Sequence, residues 1–160
     1  MDIATIIGAV AAVLLILYTA QFDFGPGMFG NIPSYATVVG VTIGMMLVSF
    51  TVRDINRLPR YIMYAFKPPK ADADRSEVIN DLEKGILMLS RLKTYALATG
   101  WIGTLIGAVI ILKNLGDPAK LGPVISLCLL TVLYGTIIAY VFCLPFSTKL
   151  QVQLDEWKKM

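Results

Sequence analysis

The sequence predicts an all-α, polytopic membrane protein with four transmembrane helices, and three observations carry that prediction. Of its 160 residues, 56% are hydrophobic and only 16% charged, against about 25% charged in a water-soluble domain. The charges are also segregated. Residues 3–22, 24–52, 94–112 and 121–148 contain no Asp, Glu, Lys or Arg. Each stretch supplies the roughly 20 residues that a helix rising about 1.5 Å per residue needs to cross the hydrocarbon. Finally, apolar residues come in continuous runs, such as residues 14–17, where a barrel strand would alternate. Backbone amides in lipid must then bond within their own helix.

The predicted spans are residues 3–20, 34–52, 95–112 and 122–145, in a single membrane domain covering 1–160. The first is a retained helix: Asp2 is the only charge before it, where a secretory signal would carry Lys or Arg. Twelve of the fourteen basic residues lie in segment 53–93 and tail 149–160. Only Lys113 and Lys120 lie in the loops opposite. By the positive-inside rule both termini and both basic segments are cytoplasmic. The net charge of +3 thus reports topology and attraction to anionic membrane lipid, with no nucleic-acid partner implied.

Between spans two and three, residues 53–61 are basic and amphipathic, and are expected to lie along the inner headgroups with their arginines on lipid phosphate. Pro59 should break or kink that helix. Asp74 followed by Glu77 marks a helix start. Val78, Ile79, Leu82, Ile86, Leu89 and Leu92 then give one apolar face. No turn signal separates this stretch from span three, so one helix should run from Arg75 to Leu112 and extend into the cytoplasm. Gly116 should cap it in a left-handed conformation, with Pro118 just beyond. Gly122-Pro123 should open span four, which is long enough to reach Pro145 or past it and also extend inward.

The chemistry is bounded by absences. There is no His, and Cys128 and Cys143 fit as small buried hydrophobes. Nothing resembles an acid–base or nucleophile–base pair, so no enzyme, metal or cofactor is expected. The spans carry no ionisable group, whereas an ion pathway usually needs one. Either the protein moves no ions or a partner supplies the titrating group. Ala96, Gly100, Thr104 and Ala108, flanked by Gly103 and Gly107, form a small-residue stripe for helix packing, as do Gly40 and Gly44 in span two. Thr104 and Thr131 are open to two readings. A membrane threonine commonly bonds its own preceding carbonyl, but facing a lumen it would ligate a cation or order water. Arg75, Glu77, Asp81, Glu83 and Lys84 form either a solvated helix face or a cytoplasmic contact.

The blocks Gly100-Trp101-Ile102-Gly103-Thr104-Leu105-Ile106-Gly107, Asn114-Leu115-Gly116-Asp117-Pro118, Leu121-Gly122-Pro123 and Leu129-Leu130-Thr131-Val132-Leu133-Tyr134-Gly135, then Leu144-Pro145, resemble the flagellar motor stator MotA/PomA family. The resemblance implies a homopentamer in the bacterial inner membrane, surrounding a single-span MotB/PomB-like partner that supplies a membrane Asp. It implies an H+ or Na+ channel whose ion flow drives rotation and motility. Thr104 and Thr131 match the family's ion path, and Pro145 its span-four proline. Three departures stand out. Val132 replaces a threonine, removing an oxygen from the ion path. Leu97 replaces the proline at the start of span three, which couples ion passage to movement. Segment 53–93 is much shorter than the family's cytoplasmic domain, and Arg75, Glu77, Asp81, Glu83 and Lys84 are the candidates to replace its rotor contact. These departures also fit an alternative function, a non-conducting stator-derived scaffold that binds a partner helix.

Overall fold

Small and apolar residues four apart set the first described helix. Ser34, Val38, Thr42 and Met46 are buried along one face of α1 (Ile32–Ser49). The computed structural model describes residues 32–67, 69 and 74–159, so predicted span one lies outside the described residues. Within them all regular structure is helical. After α1 come α2 (Val52–Phe66), α3 (Arg75–Lys113), α4 (Pro118–Thr136), a π-helical segment (Ile137–Cys143) and α5 (Leu144–Lys159).

Among the described residues, two continuous helices are long and apolar enough to cross a membrane: α3, and the run Leu121–Lys159, which joins α4 to α5 through the π segment. Each has 39 residues, or about 58 Å at 1.5 Å per residue, nearly twice the ~30 Å hydrocarbon thickness. The unbroken α3 matches the helix expected from Arg75. α1 meets the same criterion only jointly with α2, from which it is bent by 113°.

The local signals that set helix boundaries are only partly decisive. Asp74 caps α3 as expected: its Oδ1 accepts from the Ser76 hydroxyl at 2.6 Å and the Ser76 amide at 3.0 Å. These bonds, the hydroxyl's foremost, hold the Asp74 carboxyl below its usual pKa. A depressed folded-state pKa stabilises the helix start above the unfolded value, and that contribution is lost as pH falls through the folded value. Amide exchange at Ser76 should therefore accelerate below about pH 4, after correction for intrinsic exchange. Asp74→Ala should abolish this pH dependence, and an unchanged profile in the variant would remove Asp74 as its source.

Three expectations are corrected. Pro59 does not break its helix: α2 continues to Phe66, and the chain turns instead at Phe50–Thr51. Pro59 is exposed, so its ring disturbs no packing, and the single missing donor leaves the later turns intact. Gly116 adopts no left-handed cap, for no described residue has positive φ. The end of α3 is closed instead by a turn in which the Asn114 amide donates to Ile111 O and the Asp117 amide to Asn114 O, both 3.0 Å. Finally, α4 opens at Pro118, where a missing N–H costs nothing. Pro123 consequently lies inside the helix.

α3 and the α4–α5 run form an antiparallel hairpin, and α2 crosses its base. Val78, Leu82 and Leu89 of α3 pack with Ala65 of α2 and with Leu150, Leu154 and Trp157 of α5. Nearer the predicted bilayer, Met46, Tyr61 and Met88 form a second cluster, joined by Phe50, Leu92 and Tyr95. α1 lies against α3: the Ser49 and Tyr95 hydroxyls are 2.6 Å apart. Thr42 faces Thr99 at 3.5 Å.

Candidate functional site

The closest helix contact is between two small-residue faces. On α3 it uses Ala96, Gly100, Gly103 and Gly107; on the opposing helix it uses Cys128, Thr131 and Gly135. A Cβ on Gly100 would stand 3.0 Å from Thr131 O and 3.3 Å from Val132 Cα. On Gly103 it would meet the Thr131 side chain at 3.0 Å, and on Gly107 it would overlap the Cys128 sulfur. The three predicted packing glycines thus bring two helices of one chain together. Gly40 and Gly44, expected to do the same for span two, meet no described atom within 4 Å.

The two threonines singled out in the sequence meet at this contact. Their hydroxyls lie 3.3 Å apart. Thr131 donates to the Cys128 carbonyl at 2.8 Å. Thr104 bonds that same carbonyl at 2.9 Å and lies 3.1 Å from Gly100 O. Both readings of a membrane threonine therefore bear on the same pair: each hydroxyl turns to a nearby backbone carbonyl, yet the two oxygens converge with the Cys128 carbonyl. Thr131 is buried and Thr104 half-buried. Val132 and Leu97 are half-buried. Val132 O accepts from Thr136 at 2.7 Å, and α3 passes through Leu97 unbroken.

Pro145 stands at the start of α5, two residues after the π segment. At that junction the Leu144 amide reaches five residues back to Ala139 O. In an α-helix the proline ring would collide with the carbonyl four residues earlier, that of Val141. A wider π turn would avoid that collision, which makes Pro145 the sequence feature to test as the cause of the segment.

The predicted cytoplasmic contact residues do not form one free surface. Arg75 donates to the last carbonyls of α5, Trp157 O at 3.2 Å and Lys158 O at 3.1 Å, where a cation also complements the helix dipole. Glu83 pairs with Lys158 at 2.8 Å. Asp81 is buried and lies 3.7 Å from Arg60 of α2, with Glu77 at 4.0 Å from the same guanidinium. Lys84 is exposed. Sequence reasoning missed Arg60 and two further packing glycines. Gly85 receives Tyr61, whose Cβ would be 2.9 Å from an added Cβ, and Gly135 faces Ala96 and Gly100. Treating Cys128 and Thr131 as small residues would have revealed Gly135 at the end of a stripe.

Among the described residues no group of His, Cys, Asp or Glu could hold a metal ion. Comparison with known proteins gives a consistent result. Residues 70–160 match the MotA/TolQ/ExbB proton channel family model. The chain is 30% identical to Motility protein A of Aquifex aeolicus over 214 aligned positions, covering 97% of this chain and 84% of the relative. An alignment longer than the chain means that the relative has extra residues opposite gaps here. Chemotaxis protein PomA of Vibrio alginolyticus is 27% identical, covering 98% of this chain and 83% of PomA. In fold, the chain is similar to a chain of the flagellar MotAB stator complex from Bacillus subtilis. The TM-score is 0.76 at 18% identity, with 98% and 83% of the two chains covered.

Proposed function

The chain belongs to the MotA/TolQ/ExbB proton channel family as a MotA-like stator subunit, and from that premise we propose that it builds the wall of an H+ or Na+ channel. The observation that carries this reading is the meeting of Thr104, Thr131 and the Cys128 carbonyl between the charge-free stretches 94–112 and 121–148 of two helices. Three oxygens converge there without a carboxylate, so the titrating group comes from a second chain. The Bacillus subtilis structure of similar fold is of a MotAB complex, which supports a MotB-like partner; the family resemblance implies that this partner has a single span and bears a membrane Asp. The assembly is a homopentamer in the bacterial inner membrane, four spans per subunit, with both termini and the long helical extensions in the cytoplasm. Ion flow through it is coupled to rotation, with Pro145 at the moving turn.

A second reading, a non-conducting scaffold that holds a partner helix, is favoured by one observation. Both threonine hydroxyls are engaged by backbone carbonyls, and Val132 adds no third hydroxyl. Ion uptake into vesicles containing the chain and its partner separates the two. Thr131→Val keeps the side-chain volume, and the Cys128 carbonyl retains Thr104, so stability should change by no more than about 1 kcal/mol. Uptake of H+ or Na+ should fall at least tenfold. Unchanged uptake would remove Thr131 from the path, and absence of uptake in the wild-type complex would favour the scaffold.

A further inference from the structure

Among the described residues of α3 and α5, large apolar side chains outside the charge-free stretches are buried or half-buried, with two exceptions. Leu87 is 49% and Val152 54% exposed. They lie on opposite flanks of the hairpin. At about 100° per residue, Leu87 stands roughly 140° and 160° around α3 from Leu82 and Leu89, which share the core with α5. Val152 stands roughly 160° around α5 from both Leu150 and Leu154, which share the same core with α3. Within one chain the two exposed residues cannot touch.

Each flank also carries a charge at helical spacing from its apolar residue. Lys84, three before Leu87, and Glu156, four after Val152, are both exposed. The flanks are opposite in sign, so the α3 flank of one copy suits the α5 flank of the next. Contact between two α3 flanks would instead set Lys84 against Lys84. A head-to-tail contact repeated by a closing rotation builds a ring, and rotation about the membrane normal keeps every residue at its depth. Gly85 and Leu150 share one level across the hairpin, since a Cβ on Gly85 would stand 3.1 Å from Leu150 Cδ1. Leu87 lies about 3 Å nearer the bilayer than that level, and Val152 about 3 Å further from it. Side-chain direction closes the interval. Every Cα–Cβ bond leans toward the N-terminus of its helix, so Leu87 leans away from the bilayer and Val152 toward it. Lys84 and Glu156, about 7.5 Å apart in depth, lean together in the same way, within reach of an extended lysine stem.

We propose that the cytoplasmic part of this chain docks on a second copy of itself, Leu87 of one copy packing on Val152 of the next while Lys84 faces Glu156. Each copy offers its α3 flank to one neighbour and its α5 flank to the other. The charged pair sets register and direction more than affinity. The inference rests on the homopentamer of the proposed function, and not on ion conduction.

The test is cross-linking of the full chain in bacterial membranes. Two forms of the chain, told apart by a size tag, carry Leu87→Cys and Val152→Cys and are co-expressed. Cys128 and Cys143 are buried and stay in place, the unsubstituted chain giving the blank. A short bismaleimide should yield the mixed 87–152 dimer several-fold above the 87–87 and 152–152 dimers. Lys84→Glu should lower that yield several-fold, and Glu156→Lys on the other chain should restore it, which random encounter would not do. A mixed dimer indifferent to Lys84→Glu would overturn the charged pairing. Particle mass in detergent, measured without cross-linker, separates the contact from the assembly it rests on. A pentameric mass with no mixed dimer, or with the 87–87 or 152–152 product dominant, would overturn the flank contact and leave the homopentamer standing. A monomeric mass with no mixed dimer would remove both.

Discussion

Gly135→Ala is expected to be among the most damaging single methyl additions in this chain, lowering stability by about 3 kcal/mol. The new Cβ would stand 2.5 Å from the Ala96 carbonyl oxygen and 3.2 Å from Gly100 Cα. Both are backbone atoms, so no rotamer change relieves the contact and the two helices must separate. Separation would loosen the neighbouring Gly100 and Gly103 contacts and pull apart the Thr104–Thr131 pair, which is 3.3 Å across. The same logic ranks the other sites. Gly107→Ala meets only the Cys128 sulfur, the tip of a side chain, and Cys128→Ala should restore it. Gly122→Ala, with nothing within 4 Å, should stay within about 0.5 kcal/mol. Unfolding titrations in detergent micelles give the order directly. Equal cost at 135 and 122 would show that close backbone approach is not what these glycines provide.

That ranking also shows what the sequence could and could not reveal. The long helices are legible because charge and hydropathy act residue by residue. A charge-free stretch is lipid-compatible whatever it touches, and Asp74 caps α3 through bonds spanning only two residues. The small-residue face of α3 is legible for the same reason, since its spacing is a property of one helix. Its partner face is harder, because Cys128 and Thr131 carry other chemical meanings and only Gly135 is conspicuous. Arg60 is beyond reach: its pairing with Asp81 requires knowing that α2 crosses α3 near Gly85. Proline's local rule, applied without its surroundings, puts the break at Pro59 when the chain turns at Phe50–Thr51. The tertiary pairs explain what holds the described parts of segment 53–93 together. Arg75, Glu83 and Lys158 tie the ends of the two long helices, and Arg60 ties α2 across them. Of the predicted contact face only Asp81 is buried; Glu77, Glu83 and Lys84 remain exposed.

Deleting Phe142 should destabilise the chain by about 3 kcal/mol, and adding Pro145→Ala to the deletion should restore most of that loss. A π turn is an α-helix with an additional residue absorbed, so removing one residue from Ile137–Cys143 lets the helix close as regular α without rotating α5. Leu150, Leu154 and Trp157 then keep their places in the core. Phe142 is 48% exposed, so its own packing is a small part of the cost. The main cost is proline: in the tightened helix its ring meets the Tyr140 carbonyl, which the deletion places four residues before it, a conflict worth about 3 kcal/mol in a helix interior. With alanine at 145 that conflict disappears. Pro145→Ala alone should be nearly neutral, because the π segment already accommodates the ring. The two changes are therefore strongly non-additive, as expected for groups in direct contact. If the deletion is equally harmful with Ala at 145, the π segment is held by something other than the proline. Under the coupling role proposed for Pro145, the doubly changed chain should assemble with its partner yet lose rotation-coupled ion uptake. Stability and uptake would then part company at this one turn, which a purely structural proline would not allow.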